Sequence, residues 1–243
     1  MRILVSAGYN KSKAAIAICE IVRRSGHEVA GILVVSPYNI RRLRQLVVQR
    51  GMAGLRAAIK KLAPSATSTT PDQLQTYFDE LDLPSQSLSD WAAANQVDLL
   101  TVTDLNSDNS VDFVTKSNCD ALIYGGGGIL RKRLIEATGR KVLNPHCGPL
   151  PEIRGMNAIE WALLLDKPLE ITVHYIDEGI DTGEIVSRVA LDTDRVTTIE
   201  ELRGTAVVGG IKELARLLSA HGSLDSFPSL ETVNAPPPAG SAS

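Results

Sequence analysis

The chain has 243 residues, 28 acidic and 25 basic, and a formal net charge of -3, so it carries no global attraction for nucleic acid or an anionic membrane, and a small or uncharged partner fits better. That length suits one large α/β domain, with or without a small appendage, and allows a sizeable core. Three scattered cysteines, Cys19, Cys119 and Cys147, lack metal-type spacing and read as free thiols in a reducing compartment.

No apolar run approaches the roughly 20 residues needed to span a bilayer, and Met1 to Val5 leads into a strand with no signal-peptide pattern. The expectation is a cytoplasmic protein without a membrane partner. In chain order, residues 2–7 form an apolar strand, Gly8 to Ser12 a loop, and Ala14 to Val22 a helix by its spacing. Residues 29–35 are a second strand with the continuous apolar character of a parallel sheet. This βαβ start implies a Rossmann-like layout. Gly8, Asn10, Lys11 and Ser12 sit where backbone N–H groups favour anions, so the loop is either a substrate-binding element or a plain βα turn.

Two basic amphipathic helices are expected over 39–62, joined near Gly51, followed by a Ser/Thr/Pro-rich surface loop over 63–72. A helix over Leu88 to Asn95, capped by Ser87 or Ser89, precedes a strand over 97–102. A helix ending near Lys116 and a strand over 120–124 complete another βαβ step. That strand exits into Gly125, Gly126, Gly127 and Gly128, then Ile129 and Leu130. Such a stretch is either a flexible turn or, without Cβ atoms, a place where a flat ligand lies against bare peptide, and its position at a strand's carboxyl end favours binding.

Next come a helix over 131–138 and a strand over 141–143 that leads into Asn144-Pro145-His146. Two residues apart in extended backbone, Asn144 and His146 point the same way. A helix over 156–165 is expected to bury Trp161. A strand over 170–176, the acidic loop 177–183 and a returning strand over 184–191 follow. The last helical stretch, 198–218, reads as one helix or two around its glycines. His27 and His221 are expected to face solvent.

The order Asn144-Pro145-His146, Leu150-Pro151, Arg154-Gly155 and Asp177-x-x-x-Asp181-Thr182-Gly183, over roughly residues 97–192, resembles the formyltransferase family that uses 10-formyltetrahydrofolate. The resemblance implies a Rossmann-like α/β formyltransferase fold, with a mostly parallel central sheet and helices on both faces. It implies one catalytic domain over 1–221, with 1–95 on the acceptor side and 96–192 on the folate and catalytic side; composition predicts a disordered tail over 222–243. The catalytic residues it implies are Asn144, His146 and Asp181. The folate-binding positions are Gly125 to Gly128, Ile129 and Leu130, with Ile176, Asp177, Glu178, Gly179 and Ile180. Gly8, Asn10, Lys11 and Ser12 are left for the acceptor. Cys147-Gly148-Pro149 and the four glycines depart from the family pattern.

The implied reaction is transfer of a formyl group from 10-formyltetrahydrofolate to an amine on a small molecule: an amino-sugar nucleotide, an amino acid derivative or a peptide. Asn144 and His146 would donate to the developing oxyanion, a contact worth about 3 kcal/mol for each donor removed. Asp181 would hold the His146 tautomer, raise its basicity and help move the proton. His174 would support the site. No metal, covalent enzyme intermediate or nucleic-acid partner is expected, and there is no room for a C-terminal β-barrel. The sequence leaves oligomerisation open. Alternatives are a phosphoribosylglycinamide formyltransferase-like enzyme, a 10-formyltetrahydrofolate hydrolase and a catalytically silent ligand-binding protein.

Overall fold

A computed structural model describes residues 1–36, 73–83 and 86–232. The helices expected over 39–62 and the loop over 63–72 lie outside the described residues. The first elements are β1 (Arg2–Ala7), α1 (Lys13–Arg24), β2 (Glu28–Val35), α2 (Gln73–Glu80), α3 (Leu88–Asn95) and β3 (Leu99–Val102). There follow α4 (Asp108–Ser117), β4 (Ala121–Gly125), α5 (Lys132–Ala137), β5 (Val142–His146), α6 (Ala158–Leu164) and β6 (Glu170–Tyr175). The chain continues through β7 (Glu184–Ala190), α7 (Ile199–Ala220), a 3₁₀ turn (Leu224–Ser226) and β8 (Glu231–Thr232).

The strands form one sheet in the order β3-β2-β1-β4-β5-β6-β7-β8. β3 to β5 run parallel; β6, β7 and β8 extend the sheet antiparallel. Because side chains alternate along a strand, the two faces carry separate cores. Ile3, Val5, Ile32, Ile123, Leu143 and Val173 share a cluster with residues of α1, α2, α3 and α7. Leu4, Leu33, Leu122 and Val142 pack with Val111 and Val114 of α4 and Leu134 and Ile135 of α5.

The chain leaves β1 in one direction for β2 and β3, then returns to the other side for β4. Open α/β sheets bind ligands at such a switch point, outside the carboxyl ends of the strands. Here the loops after β1 and β4 meet backbone to backbone: a Cβ on Gly8 would stand 3.5 Å from the Gly127 nitrogen.

Ser87, not Ser89, caps α3, accepting from the Asp90 N–H. The residues from Thr198 onward make one helix of 22 residues, opened by a Thr198–Glu201 capping box. Gly210 costs this helix about 1 kcal/mol of propensity, yet a Cβ there would stand 3.0 Å from Pro145 Cβ. The close approach brings α7 onto β5.

Four expectations are corrected. Trp161 is 50% exposed, because α6 buries Ala158, Ile159 and Ala162 instead. The described chain stays structured beyond 222: Leu224 is buried and Glu231–Thr232 pairs with β7. His27 is half-buried, bonded to the Met1 amine at 3.1 Å and the Leu218 carbonyl at 2.8 Å. His221 is half-buried against Phe227, with ring centroids 5.2 Å apart. Among the described residues no helix is long and apolar enough to cross a membrane.

Candidate active site

β5 runs to His146, further than expected, so Asn144-Pro145-His146 lies within the sheet. Alternation then sorts its side chains. Pro145 faces α7, while Asn144 and His146 share the opposite face with Val142. The antiparallel partner β6 sets His174 opposite Asn144 and Thr172 opposite His146. Two histidines thus sit side by side with an edge-on ring contact, centroids 6.0 Å apart.

The loop after β6 brings Asp181 to both rings. Its Oδ2 lies 3.6 Å from His146 Nδ1 and its Oδ1 lies 3.5 Å from His174 Nε2. Asp181 adopts a left-handed backbone, φ 50°, a conformation Asp tolerates better than most residues. It also accepts the Gly155 N–H at 2.7 Å. Burial pushes its carboxyl pKa up, but His174, His146 and the Gly155 N–H outweigh that and leave it below the ordinary value.

The tautomers are fixed from outside the cluster. His146 Nε2 donates to the Ile153 carbonyl at 3.0 Å, which leaves the Nδ1 lone pair facing Asp181. His174 Nδ1 donates to the Tyr175 carbonyl at 2.9 Å, and its Nε2 accepts from Asn144 Nδ2 at 3.0 Å. The Ile153 carbonyl, not Asp181, thus sets the His146 tautomer. Asp181 raises the basicity of His146 as expected, and so does the Ile153 bond, but burial pulls the His146 pKa down by more and the net shift is downward. A ring held neutral near pH 7 with one bare nitrogen can accept a proton there.

The loop that carries Ile153 is tied down by buried Thr172, whose Oγ1 accepts the Leu150 N–H at 3.2 Å and donates to the Gly148 carbonyl at 2.8 Å. Arg188 donates to the Leu150 carbonyl at 2.6 Å. Cys147 is an unpromising nucleophile, since burial pushes its thiol up to about 11.

The glycine stretch is folded, not a loose turn. Gly126, Gly127 and Gly128 have φ of 109°, 122° and 108°, values that L side chains rarely adopt. Ser6 Oγ donates to the Gly126 carbonyl at 3.1 Å. The Tyr124 hydroxyl donates to the Gly128 carbonyl at 2.9 Å and accepts its N–H at 3.2 Å. Asn106 donates to the Ile129 carbonyl at 2.9 Å and accepts the Arg131 N–H at 2.7 Å. Burial, with Asp181 adding a smaller push, raises the Tyr124 pKa, so this stretch and the carboxylate share one neighbourhood.

Leu130 is buried. Asp177 accepts the Gly179 N–H at 2.9 Å and the Thr182 hydroxyl at 2.5 Å, and Glu178 lies 3.6 Å from Lys132 and 3.8 Å from Arg140. Those carboxylates shape their loop. In the first loop, Asn10 Oδ1 accepts the Ser89 N–H and hydroxyl, both at 3.0 Å, and Ser12 caps α1; both side chains hold the loop, and Lys11 is exposed. Ser6, Asn106, Tyr124 and Thr172 were missed in the sequence, where no local pattern marks bonds made across the fold.

A cavity of about 300 Å³ opens beside His146, Cys147, Gly155 and Asn157. The larger groove, about 800 Å³, runs between α7 and β7; it lacks the cluster, so the site is assigned by chemistry and not by size. His146, His174 and Asp181 also offer donor atoms within 4.8 Å of one another.

Comparison with known proteins bears on family and fold. A methionyl-tRNA formyltransferase of Finegoldia magna is 28% identical over 116 residues, 47% of this chain and 37% of that protein. A phosphoribosylglycinamide formyltransferase of Bacillus subtilis is 40% identical over 70 residues, 28% of this chain and 36% of that protein. The chain thus spans well under half the length of these curated relatives. The crystal structure of a phosphoribosylglycinamide formyltransferase from Bacillus halodurans covers 90% of this chain and 94% of its own, with TM-score 0.58 and 17% identity, a likeness of fold. The family description "Formyl transferase" matches residues 1–206, and the chain belongs to the formyl transferase family.

Proposed function

We propose that the chain is an N-formyltransferase that moves a formyl group from 10-formyltetrahydrofolate to the amine of a small molecule. The observation that carries this reading is the convergence of Asn144, His146, His174 and Asp181, with the glycine stretch after β4 in the same neighbourhood. The residues fit the folate. Gly126 to Gly128 offer backbone without Cβ atoms, and two large apolar side chains, Ile129 at 78% and Ile180 at 64% exposure, flank the region. A flat heterocycle would cover such exposed apolar surface.

The bound donor supplies the formyl carbon that the amine attacks. Asn144 donates an N–H to the formyl oxygen as charge develops there. His146 would take the amine proton on Nδ1, the nitrogen that Ile153 leaves bare, and pass it to the folate nitrogen as the carbon–nitrogen bond to the donor breaks, with Asp181 stabilising the imidazolium in between. His174 orients Asn144 through their 3.0 Å contact. The loop Gly8 to Ser12 and the rest of residues 1–95 form the acceptor side. The net charge of -3 favours a small acceptor over a nucleic acid.

The test incubates the protein with 10-formyltetrahydrofolate and a panel of amines: amino-sugar nucleotides, glycinamide ribonucleotide, amino acids and short peptides. Mass spectrometry should find one formyl group gained on one class. Folate turnover without a formylated product would replace this reading with hydrolysis, and no turnover with any acceptor would count against catalysis.

A further inference from the structure

We infer that His146, His174 and Asp181 form a binding site for one divalent transition-metal ion of the zinc class, whose occupancy shuts the proton-transfer site. The argument rests on where the lone pairs point. Each imidazole spends one nitrogen on a backbone carbonyl: His146 Nε2 on Ile153 at 3.0 Å and His174 Nδ1 on Tyr175 at 2.9 Å. Metal-ligating histidines are held in the same way, with the second ring nitrogen donating to a carbonyl or carboxylate. The remaining nitrogens both face Asp181, at 3.6 and 3.5 Å, with one carboxylate oxygen toward each.

Two ligands about 2.0–2.1 Å from a tetrahedral zinc stand roughly 3.4 Å apart; each His–Asp separation, to its own carboxylate oxygen, is close to that value, and the set as a whole must draw together around the ion. All three donors lie within 4.8 Å of one another. The set is two imidazoles and one carboxylate, with His174 fully buried and Asp181 only 16% exposed. A carboxylate facing two lone pairs calls for a cation between them, and a metal ion can serve as well as a proton. Asn144 completes the argument: its amide now donates to His174 Nε2, and turned over it would free that nitrogen and present Oδ1 as a fourth ligand.

Binding displaces at most a proton and breaks no covalent bond. It removes the bare Nδ1 of His146 from catalysis, so the inhibitory consequence rests on the formyl-transfer reading, while the binding itself does not.

The test titrates Co²⁺ and Zn²⁺ into the full chain by calorimetry and visible absorption. One Co²⁺ per chain is expected, with d–d bands and no thiolate charge-transfer band, because Cys19, Cys119 and Cys147 stand outside the site. His174→Gln and Asp181→Asn should each weaken binding by at least about tenfold, with folding checked by circular dichroism, while a His27→Asn, His221→Asn double variant binds as the parent does. Absence of saturable binding, a thiolate band, or stoichiometric binding that survives both site substitutions would overturn the site. Where a transfer assay exists, Zn²⁺ should inhibit and a chelator restore activity. Binding without any transferase activity sinks the catalytic reading alone, and transfer without ion binding sinks this one.

Discussion

At the scale of single residues, the site depends on which atoms are already spoken for. Ile153 and Tyr175 contribute only carbonyls, yet they decide which histidine nitrogens are free. Asn144 is the donor proposed for the formyl oxygen, so Asn144→Ala should lower kcat by on the order of 100-fold or more, the usual loss for one oxyanion donor, with KM for the folate changed far less. Steady-state kinetics checks this; an equal rise in KM with kcat intact would reassign Asn144 to ground-state binding. Gly127 is the second sensitive position. At φ 122° a Cβ would stand 2.6 Å from Leu105 Cδ1 and 3.0 Å from Val35 Cγ2. Gly127→Ala should cost about 1–3 kcal/mol of stability and weaken folate binding, read by urea unfolding and by folate titration. Asn144 and His146 were legible in the sequence because two-residue spacing in a strand fixes a shared face. The partners of the glycine loop were not, since Asn106 and Ser6 reach it across 23 and 120 positions of chain.

At the scale of elements, α7 is attached to the sheet through a buried carboxylate as well as an apolar face. Glu213 of α7 is buried. It accepts Arg216 Nε at 2.8 Å and Nη2 at 2.7 Å, and Ser187 of β7 donates to it. Burial pushes this carboxyl up, but Arg216 and Ser187 outweigh burial and hold it below its ordinary 4.5. Since the folded pKa is the lower one, the stabilisation is present above about pH 4.5 and is lost as pH falls through the folded value. The urea midpoint should therefore drop below pH 4.5, and Glu213→Gln should flatten that drop while lowering the midpoint at pH 7. An unchanged acid profile in the variant would remove Glu213 as a cause. The apolar spacing of α7 was readable, but its continuity through Gly209 and Gly210 was not. Helix propensity argues for a break there, and the close approaches of Gly210 to Pro145 and of Gly209 to Leu191 and Ile171 explain why the glycines sit inside the helix. Trp161 misled for a related reason: helical spacing does not tell which face of α6 meets the sheet.

At the scale of the whole molecule, the strand order places the exits of β1 and β4 at a switch point, and the antiparallel return of β6 sets His174 beside Asn144. The parallel half of this arrangement follows from repeated βα units in the sequence. The antiparallel half was visible only as two strands around an acidic loop; the resemblance paired Asp181 with His146, and only the structure sets it against His174 as well. The proposed function draws on both halves: the parallel half carries the glycine stretch, the first loop and His146 at the end of β5, and the antiparallel half brings His174 and Asp181 to it. The most direct measurement supplies the folate with an isotopically labelled formyl carbon and follows the label by NMR in the presence of an accepted amine. The account predicts label in a new formamide with the parent protein and none above background with His146→Asn, whose folding is verified separately. Label transferred at the parental rate by the folded His146→Asn variant would contradict it.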